Sequence, residues 1–566
     1  MLIDTRYVDD KECLRTDVCI AGAGLAGTVL AREFAGSDFK VALLESGGLQ
    51  PDKASQSLYA GENSGMPYYS ADTCRTRFFG GTSHRWTIPI CGGRQGVRLR
   101  EMDGIDFEER DWIPNSGWPF PKTHLEGYLD RAEKVCGIDE SSTRVPGERK
   151  LSDAFDGLPL DQDRVRTTLF RFGDRELFFR TYGREVCNAV NINIFLYANV
   201  TKVLSNETGS QVTGLKIVTL DGKAVLIQAN IYVLALGGIE TPRLLLLSDS
   251  VQKMGLGNAN DLVGRFFMEH PHLWSGYFVP AGPSVKKCMR PYAMHCRGKV
   301  PAMGKRTLSD DVLREERLLN WCTSLNPAVR PLNLLHPSRE SKGTDSLRHM
   351  LQQISRGRIP EDIGTNLGNM ALDLKGILNN LSAKGARVLE RELGRNKRLE
   401  IFRLNHMAEQ VPNPDSRISL SNDRDILGQR RIRICWRLTQ QDIRSIHRSQ
   451  EILDQELTRA GLGKLIIEMD PCIIPDSIHG GWHHMGTTRM HINPKMGVVD
   501  PECRIHGFSN IYIAGASVFP TGGYANPVLT TLALVLRLAD RIKKQMSQEG
   551  GISLREEKQK TVEAEV

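Results

Sequence analysis

Between His479 and Asp540 the chain sets imidazoles and a carboxamide among glycines and apolar residues: HGGWHHMGTTRM, then GVVDPECRIHG, then IYIAGASVFPTGGYANPVLTTLALVLRLAD. An imidazole with an ordinary pKa near ~6.5 takes up a proton around neutral pH. A carboxamide offers a hydroxyl both a donor and an acceptor. Together they are two ingredients of alcohol oxidation, in which carbon loses a hydride and oxygen a proton. A second chemistry-bearing stretch lies near the start of the chain. There Gly22-Ala23-Gly24-Leu25-Ala26-Gly27 is followed, 18 positions after Gly27, by Glu45. Glycines at this spacing allow a tight turn and bring a pyrophosphate close to a helix N-terminus, while an acid in that position holds ribose hydroxyls.

Each group needs an element to aim it. Asn526-Pro527 predicts a helix N-cap and first helical residue, because proline has no N–H to lose there. The following helix is apolar over a wide face (Val528, Leu529, Leu532, Val535, Leu536, Ala539), which predicts burial. Its N-terminus would favour negative charge on a ring lying against Pro527 and Val528. A strand over 511–514 running into Gly515-Ala516 brings backbone close to a ligand, as doubly wound sheets do. Strands over 17–20 and 41–44 flank the glycine turn and a helix to about residue 34, which is the context an adenine dinucleotide requires. The loop Gly80-Gly81-Thr82-Ser83-His84-Arg85-Trp86 suits backbone pressed on a cofactor, with Trp86 placed to cover part of a ring.

HHMGTTRM, the GVVD…CR.HG…AG.S.FPT run and ANP.LT..AL..RLAD resemble the C-terminal signature of the glucose–methanol–choline (GMC) oxidoreductases. The resemblance implies an α/β fold: a discontinuous Rossmann-type FAD-binding domain and an interleaved α+β substrate domain containing an antiparallel sheet. It implies FAD as cofactor, a choice between FAD and NAD that the glycine turn leaves open. It also carries two roles onto residues 43 positions apart, His483 as proton acceptor and Asn526 as partner of the substrate oxygen, with flavin N5 taking the hydride. Family members often have His at the second position, and Asn in the sugar-oxidising branches. GGTSHRW resembles the family loop against pyrophosphate and flavin. In some pyranose-oxidising relatives a His just before the Trp is bonded to the flavin; here that position is Arg85, with His84 one earlier, so non-covalent FAD is expected. YVLALGGIETPRLLLLS resembles the second dinucleotide segment, which implicates Gly237, and Val200 falls where relatives touch adenine through backbone. VGRFFMEHP resembles the element where the chain leaves the cofactor domain, and VPNPDSRISL a strand pair at the base of the substrate domain. ESGG, GGTSHRW and the HHMGTTRM/ANP pair look most like bacterial members acting on pyranoses, polyols and sugar acids.

Composition bounds the rest. A chain of 566 residues exceeds one ordinary domain, and 40% hydrophobic with 25% charged residues is ordinary for a soluble protein. Its net charge of +7 is spread along the chain, with no basic–aromatic stripe, which argues against nucleic acid. Twelve cysteines stand singly, without CxxC spacing; this excludes haem and iron–sulfur motifs and, read as unpaired thiols, fits a cytoplasmic location. No apolar run approaches the ~18 residues of a membrane span. The expected division is 1–100, 185–268 and 471–546 for FAD, 101–184 and 269–470 for substrate, and a disordered tail over 547–566. Trp112, Trp118 and Phe120 are candidates to stack on a sugar, against plain packing. Residues 346–392 predict amphipathic helices with basic faces. Electrons would pass to oxygen, a quinone or a partner protein. Three alternatives are weighed: a non-sugar alcohol as substrate, a flavin hydroxylase or halogenase, which would lack the His and Asn-Pro pair, and an FAD-binding subunit of an electron-transfer complex.

Overall fold

The run Val18-Cys19-Ile20-Ala21 is buried from solvent at the end of a strand, Cys13–Ala21, because it lies at the middle of a sheet covered on both faces. In this computed structural model, which describes residues 1–138, 157–297, 300–328 and 401–564, the sheet has eight strands. Its order is Leu2–Asp4, Ile192–Leu196, Val41–Leu44, Cys13–Ala21, Ala224–Leu234, Val212–Val218 and Asn199–Ser205, with Ile511–Ile513 also pairing with Ala224–Leu234. The pairs from Leu2–Asp4 to Ala224–Leu234, and that with Ile511–Ile513, are parallel; the last two strands along the order are antiparallel. This is the doubly wound architecture expected of the first turn. The helix Leu25–Glu33 follows the central strand, and Val528–Ala564 packs against it and against Glu126–Val135. Arg131 ties these elements by ion pairs to Asp540 at 2.6 Å and Glu33 at 2.9 Å.

A second, nine-stranded sheet runs Gly463–Ile466, His272–Pro280, Ile401–Ala408, Trp321–Ala328, Val300–Leu308, Val165–Asp174, Gln95–Leu99 and Thr87–Pro89, with His295–Arg297 beside Val300–Leu308. Its neighbours from Thr87–Pro89 through Trp321–Ala328 are antiparallel, as the family resemblance implies. Opposed residues share a face, and so do residues two apart. Arg98 opposes Phe172, Met303 opposes Phe170, Lys305 opposes Thr168 and Thr307 opposes Cys322. One face therefore carries Arg98, Phe172, Phe170, Met303, Lys305 and Cys322. A three-stranded sheet (Arg417–Arg424, Arg430–Cys435, Gly61–Asn63) is the third among the described residues. The chain divides into two compact units, Met1–Asn326 with Arg403–Val566, and Pro327–Phe402. The second lies almost wholly outside the described residues, as do the helices expected over 346–392.

Several elements depart from expectation. The helix Gly237–Leu247 has Pro242 inside it. Proline cannot donate to the Gly238 carbonyl, and Thr487 Oγ1 does so instead at 2.7 Å. The tail expected to be disordered continues the last helix to Ala564; elongating an existing helix avoids the cost of nucleation. Asn526 does not cap that helix. The first helical hydrogen bond runs from Thr531 N to the Pro527 carbonyl at 2.9 Å, one residue later than expected. Trp118, Trp112 and Phe120 are packing residues. Trp118 is buried against Phe107 and Phe519 and donates to Thr521 Oγ1 at 2.9 Å. Trp112 Nε1 donates to the Leu318 carbonyl, and Phe120 lies under Arg537. Among the described residues ten cysteines are free, but Cys91 is disulfide-bonded, so the cysteines are not all single thiols.

Candidate active site

A long cavity of about 360 Å³ runs from the glycine turn to His483 and Asn526. At one end the helix Leu25–Glu33 starts from Gly24 with no side-chain cap, so its first N–H groups face the cavity unopposed. A Cβ on Gly27 would stand 1.9 Å from the Gly22 carbonyl oxygen, so Gly27 is a packing glycine and does not itself line the cavity. Gly22 has φ +104° and abuts the Ala235 carbonyl, a position for which only glycine is suited. Gly80 pairs with Gly24 from behind and borders a small adjoining cavity, while Gly81 and Ser83 line the main one.

Glu45 lines the same end. Its oxygens accept from Gly47 N at 2.8 Å and Ala23 N at 3.3 Å, while burial raises its pKa. Val200, Gly237, Gly515, Ala516, Pro527, Val528 and Trp86 all lie on the cavity wall. His84 does not. It stacks on Phe78, its Nε2 meets the Phe79 carbonyl at 3.0 Å and its Nδ1 meets Arg175. One feature of this end had no sequence signal: Glu240 sits among Arg75 (2.7 Å), Arg243 (3.2 Å) and Arg77 (3.6 Å). Burial works against the ionised carboxyl, yet the three guanidiniums hold its pKa down to about 2.

At the other end Asn526 Nδ2 lies 2.9 Å from His483 Nε2. The pair was expected from motifs, and the fold brings it together because the loop after Ile478 and the start of the last helix close on the same wall. His483 Nδ1 is 2.8 Å from His270 Nδ1, and His270 Nε2 is 3.3 Å from the Gly522 carbonyl. Glu269 fixes the loop: its Oε2 accepts from Gly481 N at 3.0 Å and His483 N at 2.8 Å, around Trp482 at φ +61°. Its Oε1 accepts from Tyr68 Oη, which also meets His484 Nε2 at 3.0 Å. Trp482 thus keeps a backbone conformation rare for a bulky residue because the N–H groups on both sides share one carboxylate. His484 supports this clamp, and His479 stacks on His272.

Burial pushes the His483 pKa well below the ordinary 6.5, helped by His270, Arg98, His484 and Lys305. Arg98 lines the cavity on the shared face of the second sheet, where no described ion pair neutralises it. Lys305, buried over Phe170, is lowered to about 8 for the same reason. Seven cavity-lining residues carry buried polar atoms without a hydrogen-bond partner among the described residues, among them Asn526 Oδ1, His272 Nε2, Trp86 Nε1 and Trp482 Nε1. Orphaned polar atoms in a long cleft, with an uncapped helix start and Glu45, fit a dinucleotide carrying a polar ring. His270, Glu269, Tyr68, His272, Arg98 and Lys305 were not identifiable as site residues in the sequence. Only His270 and Glu269 lay in a motif already singled out, and nothing local marked them.

Known proteins resemble this chain at several levels. Two GMC oxidoreductase family models match residues 161–272 and 412–534. The fructose dehydrogenase large subunit of Gluconobacter japonicus is 24% identical over 95% of this chain and 99% of its own length. The C-glycoside 3-oxidase of Arthrobacter globiformis is 31% identical over 24% of this chain and 25% of its own. Among solved structures, formate oxidase superposes with TM-score 0.52 at 15% identity, covering 96% of this chain and all of that one. Pyridoxine 4-oxidase from Mesorbium loti gives 0.50 at 16% identity, covering 93% and 99%.

Proposed function

The chain belongs to the GMC oxidoreductase family, whose members act on CH–OH groups, and from that premise we propose that it oxidises an alcohol of a sugar or glycoside to a carbonyl. The observation that carries this reading is the approach of the Asn526 carboxamide to His483 Nε2, 2.9 Å apart on the wall of the long cavity. In this reading FAD is held without a covalent bond by the N-terminus of Leu25–Glu33, Glu45, Gly81, Ser83, Val200, Gly237, Gly515, Ala516, Pro527 and Val528. Gly22, Gly24, Gly27 and Gly80 shape the turn that receives it, and Trp86 covers part of the ring. The hydrogen bonds of His84 to Phe79 and Arg175 support the non-covalent form. The flavin, when bound, supplies the acceptor for the substrate hydride.

The rest is the work of side chains. His483 Nε2 takes the hydroxyl proton, and its lowered pKa keeps it neutral, hence able to do so, well below pH 6.5. Asn526 turns its Nδ2–H to the same oxygen, while its Oδ1 remains available for a second substrate group. The positive field of Arg98 and Lys305 favours the alkoxide that forms as the proton leaves. The names of the fructose dehydrogenase and C-glycoside 3-oxidase relatives support a sugar substrate. The first of these is a large subunit, which supports a partner protein as electron acceptor alongside oxygen or a quinone. Residues 1–100, 185–268 and 471–546 form the FAD domain in this reading, with 101–184 and 269–470 shaping substrate choice. No helix among the described residues is long and apolar enough to cross a membrane. Ten free cysteines favour a cytoplasmic location, and the disulfide at Cys91 counts against it.

The test is anaerobic stopped-flow reduction of the purified yellow protein by a panel of monosaccharides and glycosides, with oxygen and quinones added afterwards. Bleaching by a sugar is expected, and His483→Ala should slow it on the order of a hundredfold or more while flavin stays bound. A protein that binds no flavin, or one whose His483→Ala variant reduces at the parent rate, would overturn the reading.

A further inference from the structure

The carbonyl of Gly522 can accept a hydrogen bond and cannot donate one. His270 Nε2, 3.3 Å away, therefore carries a proton. His270 is fully buried and burial lowers its pKa to about 4, so around neutral pH it holds that one proton only, and its Nδ1 is a lone pair. His483 Nδ1, 2.8 Å from that lone pair, must then be the donor. This leaves His483 Nε2 as the acceptor, which agrees with the Asn526 Nδ2 group set 2.9 Å before it. The direction of all three hydrogen bonds follows from one backbone carbonyl. The opposite direction would set an unprotonated His270 Nε2 against the carbonyl oxygen, lone pair against lone pair.

The geometry points to His270 as a positioning residue that holds His483 in the Nδ1–H tautomer, so that Nε2 meets the substrate as a base. The inference rests on the reading of His483 as the base. A free neutral imidazole exchanges between two tautomers, and only one presents a lone pair to the cavity. When Nε2 gains a proton, both ring nitrogens become donors, and the His270 lone pair continues to accept from Nδ1. His270 does this without approaching the reacting atoms. The Glu269 clamp performs a separate task, since it grips the His483 backbone and not the ring.

Two substitutions separate the tautomer role from packing. In His270→Asn the amide oxygen falls near the place of Nδ1 and can accept from His483. In His270→Gln the longer side chain reaches toward Gly522 but offers no acceptor at that place. His270→Gln should reduce its flavin roughly a hundredfold more slowly than the parent with the sugar that bleaches the parent fastest, at unchanged substrate Kd and flavin content. His270→Asn should recover to within about tenfold of the parent. Equal rates for His270→Gln and the parent, or no recovery in His270→Asn, would overturn the inference. Nuclear magnetic resonance of isotope-labelled histidine gives a readout independent of turnover. The His483 signals should report the Nδ1–H tautomer in the parent and a mixed population in His270→Gln; an Nε2–H tautomer in the parent would sink the proposal even if no sugar proves to be a substrate. His483→Ala, run alongside, tests the base itself, so a failure there is distinguishable from a failure here.

Discussion

Replacing the Asn526 carboxamide with a carboxylate tests the geometry at its narrowest point. In Asn526→Asp the new oxygens stand where Nδ2 now lies, 2.9 Å from His483 Nε2. That nitrogen is held unprotonated chiefly by burial, which disfavours the imidazolium, with Arg98 and Lys305 adding to the effect. A carboxylate at this distance favours the imidazolium instead, and opposite charges within about 4–6 Å raise such a pKa by one to three pH units, or about 1.4–4 kcal/mol. The acid limb of kcat/KM should therefore move up by about one to three pH units. Below the old limb, flavin reduction should fall about tenfold to thousandfold, and between the two limbs by progressively less. Above the new limb it should recover to the level of Asn526→Ala, which lacks the donor but adds no charge. Anaerobic reduction by one sugar, followed across pH for the parent and both variants, measures all of this. A constant deficit in Asn526→Asp at every pH, with the limb unmoved, would refute the claim that the amide faces the base.

The parent should keep its activity well into acid, with the limb of kcat/KM below 6.5, because burial lowers the His483 pKa; a limb above 6.5 would contradict this. Gly27→Ala should cost about 1–3 kcal/mol or more and lower the flavin-to-protein absorbance ratio, since its Cβ would stand 1.9 Å from the Gly22 carbonyl oxygen. Full flavin content with an unchanged Tm would dismiss that role. Glu240, whose pKa falls from 4.5 to about 2 on folding, contributes stability that is present above 4.5 and lost as pH falls through 2. Glu240→Gln should thus lower stability near neutral pH by about 3 kcal/mol in urea unfolding, and by progressively less toward pH 2.

Local patterns carried a large part of the answer. Gly22-Ala23-Gly24-Leu25-Ala26-Gly27 between two apolar strands predicted a nucleotide turn, and two of its glycines answer a steric demand there: the Gly27 Cβ would strike Gly22, and the Gly22 Cβ would strike Ala235. His483 and Asn526 could be nominated from their motifs alone. Asn526 was nevertheless placed wrongly as a cap. Cap preference is a local tendency, and here the carboxamide turns instead to an imidazole 43 positions away.

From the amino-acid order alone came the glycine turn and the nomination of His483 and Asn526, because each rests on residues close together in the chain. Only the tertiary structure decided what the His483 ring meets and in what field it lies. His270 meets His483 across 213 positions, Glu269 reaches the loop from the segment before His272–Pro280, and Arg98 shares a face with Lys305 through strand register. Those contacts hold because side chains from distant strands are buried together, where a charge or a lone pair must find its partner in space or go without one.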